Sequence, residues 1–408
     1  MHLWHLETEP SNTRPDQIVS GLRTSVPNRM KPLLHLTYDS PDNPWCGGGG
    51  SLRDWRILKR LKSWDRSFCT GAHPHPLRDP EIRRIDRGLA RFGEFVSRRT
   101  YAISAGRVLR RFMRRPGAVA SQSPSAWAPL WETFRHVDRM LLVVHHVAGE
   151  EILRRLGPLG PSSLRFENRI LAEGRFYATP NRATAARIRE ANPGARIEVI
   201  PNGYDPPLRH VEAERFGEGP TISFLGRFDH RMKGLDRLLP AFAQVADRIP
   251  DARLVMAGRS DHSTDSWLEA ALAGHPHRDR IHLVPNPDEE RKYALLDGSD
   301  VFCVPSRFEG WCIAAIEAQS RGLPVVATRT DGTVDSVRDG ETGVLVDNSE
   351  EGATAALARE LESLCRDADR RRAWGASAKE WAERFTWEAA AQATESMLLE
   401  IADRPPPG

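Results

Sequence analysis

The sequence predicts an α/β fold made of two Rossmann-like, doubly wound domains that face each other across a cleft. Two observations support this prediction. Short apolar runs alternate with helical patterns along most of the chain, which is typical of parallel sheets flanked by helices. The pattern stops at a linker rich in proline and charge, PPLRHVEAERFGEGP, and then starts again. A chain of 408 residues also suits two domains of about 200 residues each.

The predicted boundaries follow this pattern. Residues 1–30 show no sustained periodicity, so we expect a disordered extension there. The first domain spans 31–205, the second spans 206–380, and residues 381–402 are predicted to form a C-terminal helix. The two halves show no internal repeat, so the prediction depends on the alternation of strands and helices.

Individual strands and helices are predicted in the order that a doubly wound domain requires. In the first domain, a strand at Leu33–Thr37 leads through the glycine run Gly47–Gly50 into the helical pattern LRDWRILKRL. Its further strands are Arg139–Val144, Arg175–Thr179 and Ile197–Ile200. The second domain contains the helix Leu235–Ile249 and the strands TISFLG, ARLVMAG, RIHLVP, DVFCVP and PVVAT.

Cysteine usage and hydropathy lead us to expect a soluble, cytoplasmic protein. The cysteines are scattered without a CxxC pair or a His/Cys ligand spacing, which favours free thiols in a reducing compartment and no zinc site. They are Cys46, Cys69, Cys303, Cys312 and Cys365. No apolar run approaches the roughly 20 residues that span a bilayer, and the N-terminus lacks the apolar core of a signal peptide.

Positive charge is concentrated in the first domain. Residues 1–120 contain 22 Lys and Arg against 11 Asp and Glu, and Glu81–Arg115 alone contains eleven arginines and three acids. Within this stretch Leu89, Phe92 and Phe95 have near-helical spacing. The stretch is either a solvated basic helix or a surface that meets anionic lipid or a phosphorylated acceptor. We expect no nucleic-acid partner, because no module with interleaved basic and aromatic residues is present.

Two cations directly follow the first strand of the second domain. The stretch LGRFDHRMKGLD places Gly226, Arg227 and Lys233 at the carboxyl end of that strand, where ligands bind in open α/β sheets. Arginine binds phosphate oxygens bidentately and lysine binds them as a point charge, so this pair would neutralise a diphosphate. The alternative is two unrelated surface cations.

A second stretch, VFCVPSRFEGWCIAAIEAQSRGLPVVAT, combines a strand, a loop and a helix. Gly310 in the loop lets the backbone approach a ligand closely, and the start of the helix leaves the N–H groups of Cys312 and Ile313 available for phosphate oxygens. Glu309 lies at the tip of the loop and Glu317 lies inside the helix. These carboxylates can therefore accept hydrogen bonds from different ends of one elongated ligand.

Residues from about Thr221 to Val346 resemble the donor-binding domain of the family 4 glycosyltransferases, which have the GT-B fold. The resemblance is carried by GRFDHRMKGLD, by FEGWCIAAIEAQSRGLPVVAT and by DGTVDSVRDGETGVLVD. PNGYD at Pro201–Asp205 resembles the junction between the family's domains, and FTW at Phe385–Trp387 resembles its terminal crossing helix. The resemblance implies an acceptor-side first domain and a second domain that binds a nucleotide-sugar.

The resemblance also implies roles for single residues. Arg227 and Lys233 would hold the diphosphate of the donor. Glu317 would bond the ribose hydroxyls and Glu309 would contact the transferred sugar. The backbone around Val284 would contact the nucleobase.

Asn202, in the PNGYD junction, belongs to the same implied donor-binding set. Two positions depart from the family's pattern. Arg227 and Lys233 are one residue further apart than is usual, so Arg231 could share the role of the cation. The family's usual glutamate in a G-x-x-E stretch is Asp335 here.

Two features of the first domain resemble the family more loosely. The glycines Gly48, Gly49 and Gly50 resemble a loop that lines the cleft near the donor phosphate or the acceptor, and the alternative is a flexible linker. His145 follows the apolar run LLVV and resembles the family's cleft histidine. Its neighbour His146 competes for that role, and a purely structural histidine is the third interpretation.

The implied activity is transfer of a hexosyl-type sugar to a glycan, lipid-linked or small-molecule hydroxyl, with retention of configuration. His145, Arg227, Lys233 and Glu309 would be catalytic. No DxD-like acidic pair lies beside the phosphate site, so we expect no metal and no cofactor besides the nucleotide-sugar substrate. The alternatives are a related sugar phosphorylase or nucleotide-sugar epimerase, a glycoside hydrolase that uses Glu309 and Glu317, and a non-catalytic basic membrane- or partner-binding module.

Overall fold

The structure, a computed structural model, describes residues 30–404 apart from 44–47, 74–75, 77, 125–129, 151–156, 158–159, 208 and 260–261. The predicted extension 1–30, except Met30, therefore lies outside the described residues, as do Cys46 and Gly47. The described part contains two parallel sheets with flanking helices, which confirms the predicted α/β fold of two doubly wound domains.

The first sheet consists, within the described residues, of parallel strands alone. They are β1 (Lys31–Leu36), β2 (Trp64–Gly71), β3 (Arg83–Arg87), β4 (Val119–Gln122), β5 (Met140–Val143), β6 (Phe176–Thr179) and β7 (Arg196–Val199). Their order across the sheet is β3-β2-β1-β4-β5-β6-β7. The order reverses between β1 and β4, and ligands bind at the carboxyl ends of strands beside such a reversal.

The sequence predicts β1, β5, β6 and β7 but misses β2, β3 and β4. The sequences of β2 and β3, WDRSFCTG and RRIDR, contain charged residues, so neither forms a continuous apolar run. β4 is the short and partly polar segment VASQ. These strands are recognisable only from their pairing with β1 and with each other.

The second sheet is also parallel. Its described strands are β8 (Thr221–Leu225), β9 (Arg253–Gly258), β10 (Ile281–Pro285), β11 (Val301–Val304), β12 (Val325–Thr328) and β13 (Gly343–Val346). They lie in the order β10-β9-β8-β11-β12-β13, with the reversal between β8 and β11. The sequence predicts all of them except β13, whose four residues sit within the motif DGETGVLVD.

Helices connect the strands of both sheets. In the first domain they are α1 (Gly49–Arg60), α2 (Glu94–Phe112), α3 (Gly160–Glu173) and α4 (Arg182–Ala191). In the second domain they are α5 (Leu235–Arg248), α6 (His262–Ala273), α7 (Glu289–Asp297), α8 (Ile313–Ser320), α9 (Thr333–Ser336), α10 (Ala353–Arg366) and α11 (Ala368–Ala382). The last helix is α12 (Trp387–Ala402).

The basic segment is only partly helical. It forms β3, a short 3-10 turn and then α2, which buries Tyr101 and Leu109 against the sheet. The near-helical spacing of Leu89, Phe92 and Phe95 does not mark a buried face, because all three side chains are exposed. The turn between β3 and α2 separates the first two of these side chains from the helix.

The last helix, α12, completes the core of the first domain. Trp387, Leu398 and Ile401 belong to the same buried cluster as Leu33 in β1 and Phe176 in β6. The chain therefore leaves the first domain near residue 205, builds the second sheet and returns to the first. This returning helix ties the two domains together by burial of apolar surface.

We predict that Trp387→Ala lowers the free energy of unfolding by about 3–5 kcal/mol, because it opens a large cavity in the first domain's core. Urea denaturation followed by circular dichroism measures the change. Trp131, with 67% of its surface exposed, is the matched control, and Trp131→Ala should change stability by less than about 0.5 kcal/mol. Equal effects of the two substitutions would show that α12 is not part of that core.

Candidate active site

The residues singled out by the sequence gather where the carboxyl edges of the two sheets meet. The loops after β5 and β6 contact the loop after β11. The Asn181 side-chain amide donates to the carbonyl oxygen of Gly310 at 2.6 Å, and the rings of His146 and Phe308 make an edge contact at 5.0 Å between centroids. These contacts leave a narrow cleft lined by both domains.

Lys233 and Glu309 form an ion pair at this cleft. Lys233 Nζ lies 2.7 Å from Glu309 Oε1, and the Ser306 hydroxyl donates to the same oxygen at 2.7 Å. Burial acts to lower the pKa of Lys233, but the Glu309 carboxylate outweighs it and the pKa is raised. The lysine is therefore a cation. Arg227 lies close enough for its charge to act on Lys233, as the sequence predicts.

Arg231 does not join this pair. Its guanidinium is 3.7 Å from Glu350, and its carbonyl oxygen accepts a hydrogen bond from Arg307. The extra residue between Arg227 and Lys233 thus lengthens the loop after β8 without bringing Arg231 to the ion pair. The guanidinium group of Arg227, whose charge acts on Lys233, lies 3.4 Å from the Asp229 carboxylate.

Helix α8 points its first turn at the same place. Cys312 is its N-cap residue, and Ile313 begins the helix. The first N–H groups of a helix have no partner inside the helix, so they are available to an anion. Burial raises the pKa of the Cys312 thiol, which is therefore neutral and contributes no competing charge.

The glycine run of the first domain packs against this helix and against His145. A Cβ atom built on Gly49 would lie 3.6 Å from the Cδ1 of Ile313, and one built on Gly50 would lie 2.9 Å from the Cδ2 of His145. Gly48 caps α1, where its N–H and carbonyl groups bond the Ser51 hydroxyl. The described glycines are therefore an ordered helix start at the cleft, and any side chain at Gly50 would displace the histidine.

His145 and His146 both reach the domain contact, in different ways. His145 packs its ring against Gly50, and its carbonyl oxygen would lie 2.6 Å from a Cβ on Gly310. His146 instead places its ring on Phe308. The ring beside the glycine loop is thus His145, the residue that the sequence favours.

Glu317 lies deeper and is paired with a lysine that sequence motifs did not reveal. Lys292 Nζ, on α7, lies 2.7 Å from Glu317 Oε1 and 2.8 Å from Glu289 Oε2. Burial raises the pKa of Glu317, and Lys292 acts in the opposite direction. Both side chains line a cavity together with Arg56 from the first domain and Asp205 from the junction. In the sequence, Lys292 follows two glutamates at the start of a helix, and this pattern by itself indicates only a helix surface.

Two residues of the implied donor-binding set have buried side chains. The Val284 side chain is buried among Val255, Ala257 and Leu295, so only its backbone can face a ligand. The Asn202 side chain is also buried, and its amide oxygen accepts a hydrogen bond from Arg53 Nη1 of α1 at 2.6 Å.

Asp335, the departure from the family's G-x-x-E pattern, bridges the two domains. Its carboxylate accepts from the Arg182 backbone N–H and from Arg182 Nε, both at 2.6 Å. A second pair, Arg187 with Asp331 at 2.7 Å, lies beside it. The shorter side chain at position 335 thus meets the N-terminus of α4 directly.

The described residues contain neither a candidate metal-ion cluster nor a candidate membrane-spanning helix. Across residues 30–404, outside the gaps given above, no cluster of three or more His, Cys, Asp or Glu is arranged to hold a metal ion. Within the same residues no helix has the length and hydropathy needed to cross a membrane.

Two family models match consecutive parts of the chain. The model for glycosyltransferase family 4 matches residues 55–207, and the model described as glycosyl transferases group 1 matches residues 209–381. Together they cover most of both domains, including His145, Lys233 and Glu309, but not the glycine run before residue 55. The chain belongs to glycosyltransferase family 4.

Curated and solved relatives agree with this membership. The family 4 chain is 37% identical over 221 residues to a D-inositol 3-phosphate glycosyltransferase of Corynebacterium diphtheriae, an alignment that covers 52% of this chain and 50% of the relative. It therefore spans about half the length of the curated relative that it matches. Sucrose-phosphate synthase from Thermosynechococcus elongatus has the same fold, with a TM-score of 0.74, 20% identity and coverage of 91% and 99% of the two chains.

A third comparison is a structure with a bound ligand. The Anabaena protein Alr3699/HepE, in complex with UDP and glucose, superposes with a TM-score of 0.68 at 16% identity and covers 91% of the family 4 chain and 100% of its own. At this identity the likeness concerns the fold alone. The GT-B architecture expected from the sequence is thereby confirmed.

We predict that Lys292→Met destabilises the family 4 chain by about 3–5 kcal/mol, because Glu317 is then a buried carboxylate without its counter-charge. The double variant Lys292→Met/Glu317→Met should recover most of the loss, since it removes both charges. Urea unfolding of the two variants measures the difference. If the double variant is as unstable as the single one, packing of the lysine stem and not the ion pair explains the loss.

Proposed function

We propose that this chain is a retaining glycosyltransferase that moves a hexosyl-type sugar from a nucleotide-diphosphate donor to an acceptor hydroxyl. One observation carries the proposal. Arg227, Lys233 and the first turn of α8 converge on one cleft, which the first domain closes with Gly50 and His145. The UDP and glucose in the Anabaena structure of the same fold, and the name of the corynebacterial relative, support the choice of a nucleotide-sugar.

Donor binding would exchange one ion pair for another. The charge of Lys233 is balanced by Glu309 in this structure. A diphosphate carries more charge than one carboxylate, so Lys233 would turn to the phosphate oxygens together with Arg227. Glu309, still held by Ser306, would then accept hydrogen bonds from the hydroxyls of the sugar.

The chemical step follows from where charge develops. When the bond between the sugar and the diphosphate breaks, the anomeric carbon becomes more positive and the diphosphate more negative. Two cations and the N-terminus of a helix would stabilise the departing diphosphate. The same groups would replace a divalent metal ion, and the acceptor hydroxyl would attack from the face that the diphosphate leaves.

The nucleoside would lie beyond the phosphate site. Glu317 would accept hydrogen bonds from the ribose hydroxyls through the oxygen that Lys292 does not hold. The backbone of β10 near Val284 would contact the nucleobase. Lys292 has a supporting role in this arrangement, because its ammonium group opposes the effect of burial on the Glu317 pKa and holds one carboxylate oxygen in place.

The arrangement also bears on the other enzymatic functions. A glycoside hydrolase that uses Glu309 and Glu317 would leave Arg227 and Lys233 without a role. A sugar phosphorylase or an epimerase would use the same donor cleft. Dependence on inorganic phosphate, or conversion of the nucleotide-sugar without an acceptor, would favour one of those activities.

Calorimetry with nucleoside diphosphates, in buffer with EDTA, tests the proposal. Lys233→Ala should weaken binding by about 1.5–3 kcal/mol, the scale of a charge-assisted bond. Glu317→Gln should weaken binding of the bare nucleotide, whereas Glu309→Gln should spare it and lower turnover of the nucleotide-sugar. Arg231→Ala is the matched control, because its guanidinium points to Glu350. Binding that requires added magnesium or manganese, or that survives Lys233→Ala unchanged, contradicts the proposal.

We further propose that the basic segment contacts an anionic membrane. Phe92, Phe95 and Ile103 are 57%, 57% and 54% exposed, and the guanidinium groups of Arg91 and Arg99 lie over the two phenyl rings. Exposed aromatic rings surrounded by arginines are typical of a surface that enters the headgroup region. A peripheral position would bring the first domain to a lipid-linked acceptor.

We predict that Phe92→Ser/Phe95→Ser weakens binding to vesicles of phosphatidylserine and phosphatidylcholine by about tenfold or more. Each phenyl ring that is removed takes away up to roughly 1.5–3 kcal/mol of the free energy gained by burying it in the membrane. Replacing Arg111 and Arg114 by Gln should remove up to about 1 kcal/mol per charge. Vesicle sedimentation measures both effects, and Leu399→Ser, an exposed leucine on α12, is the control. Unchanged sedimentation of all variants would leave the segment as a solvated basic surface.

A further inference from the structure

A buried carboxylate lies between two histidine rings beneath the glycine run. Asp54 Oδ2, on α1, is 3.2 Å from His35 Nε2 and 3.5 Å from His145 Nε2. The side chains of Asp54 and His35 are 2% and 5% exposed, whereas that of His145 is 21% exposed. Of the two rings that share the carboxylate, His145 is therefore the one that reaches the cleft.

The two histidine rings affect the pKa of the Asp54 carboxyl group. Burial acts to raise the pKa of Asp54, but His145 and His35 outweigh it, so the pKa lies well below its ordinary value. Arg53, the adjacent buried cation, points elsewhere and donates to the carbonyl oxygen of Ile200 and to Asn202. Burial lowers the pKa of Arg53 to about 10, and it stays charged at neutral pH. The charged or titratable groups beside the carboxylate are thus His35, His145 and Arg53.

Hydrogen bonds around His145 favour one tautomer. Its Nε2 lies 3.1 Å from the Ser123 hydroxyl and within ion-pair distance of Asp54, which can only accept a proton. Its Nδ1 is shielded from solvent and has no hydrogen-bond partner among the described residues. An N–H at Nδ1 would therefore be buried without an acceptor, so the proton belongs on Nε2.

Packing fixes the same ring from the other side. The His145 ring lies so close to Gly50 that no Cβ would fit there, and the His145 carbonyl lies against Gly310 of the second domain. A rotated ring would collide with the start of α1 or lose its contact with Ser123. Charge, hydrogen bond and packing thus require one orientation of an imidazole at the edge of the reaction cleft.

We propose that Asp54 is a positioning residue, which together with Ser123 holds His145 as the Nε2–H tautomer in the orientation that the cleft requires. The inference builds on the proposed transferase function for the reason why the ring must be oriented. The competing explanation is a core ion pair between Asp54 and His35 alone. That explanation predicts no effect of Asp54 on the state of His145.

Nitrogen-15 NMR of histidine-labelled protein at pH 8 separates the two explanations without any substrate. The wild-type protein should show His145 with a protonated Nε2 and an unprotonated Nδ1, assigned by the loss of its signals in His145→Gln. Asp54→Asn should turn this pattern into a mixture of tautomers. Asp65→Asn removes an exposed carboxylate of the same domain and should leave the pattern unchanged. An unaltered His145 pattern in Asp54→Asn overturns the proposal.

Activity provides the second measurement. Asp54→Asn should lower kcat by about 10–100-fold, as is usual for groups that orient a functional ligand, and change nucleotide affinity by less than about twofold. If Asp54→Asn does not fold, the same NMR measurement is made on Ser123→Ala. A mixture of His145 tautomers in that variant supports the proposal, and an unaltered His145 pattern contradicts it. Loss of nucleotide affinity equal to the loss of kcat would contradict a positioning role. Absence of turnover in the wild-type protein would refute the proposed function, while the NMR result still decides the role of Asp54.

Discussion

The close approach of two backbones, at Gly310 and at His145, determines most of what the cleft can do. A Cβ at position 310 would lie 2.6 Å from the His145 carbonyl oxygen, and Asn181 holds the Gly310 carbonyl in place. Because the loops touch here, α8 of the second domain faces the glycine run of the first. The cations, the helix terminus and the histidine would otherwise belong to separate surfaces.

Charges inside the cleft are neutralised in advance. Lys233 is paired with Glu309 and Lys292 with Glu317, and the Asp54 carboxylate lies beside two imidazole rings. A buried charge without a partner is costly, so these contacts stabilise the charged side chains of the cleft. A ligand that takes one member of such a pair has to offer more charge than the residue it replaces. This requirement favours a diphosphate over a simple carboxylate or sugar.

Backbone-based features of the site could be predicted from the sequence, and buried side-chain pairs could not. The strand, loop and helix around Gly310 can be predicted from the order of the residues, because these elements depend on residues that are close together in the chain. Lys292 looked like an ordinary helix surface residue, and only its distance to Glu317, 25 residues later, makes it part of the site. For Asn202 the sequence indicates the junction motif, whereas the direction of its side chain depends on Arg53 in another element.

The same distinction applies to the fold. Apolar strands such as β5 and β11 were visible, whereas β2, β3 and β4 owe their place to pairing partners far along the chain. The spacing of Phe92 and Phe95 resembles one face of a helix, but Phe92 lies in the turn before α2 and the Phe95 side chain is exposed on α2 itself.

The return of α12 to the first domain has a consequence for how the molecule is made. While the chain emerges from the ribosome, β1 to β7 are complete long before Trp387 appears, so one side of the first sheet lacks its cover throughout synthesis of the second domain. Exposed apolar surface of that kind is a target for chaperones and a route to aggregation. Joining residues some 350 positions apart also makes the final docking step slow, because the contacts are far from local. The core of the first domain is therefore completed only when α12 returns to it.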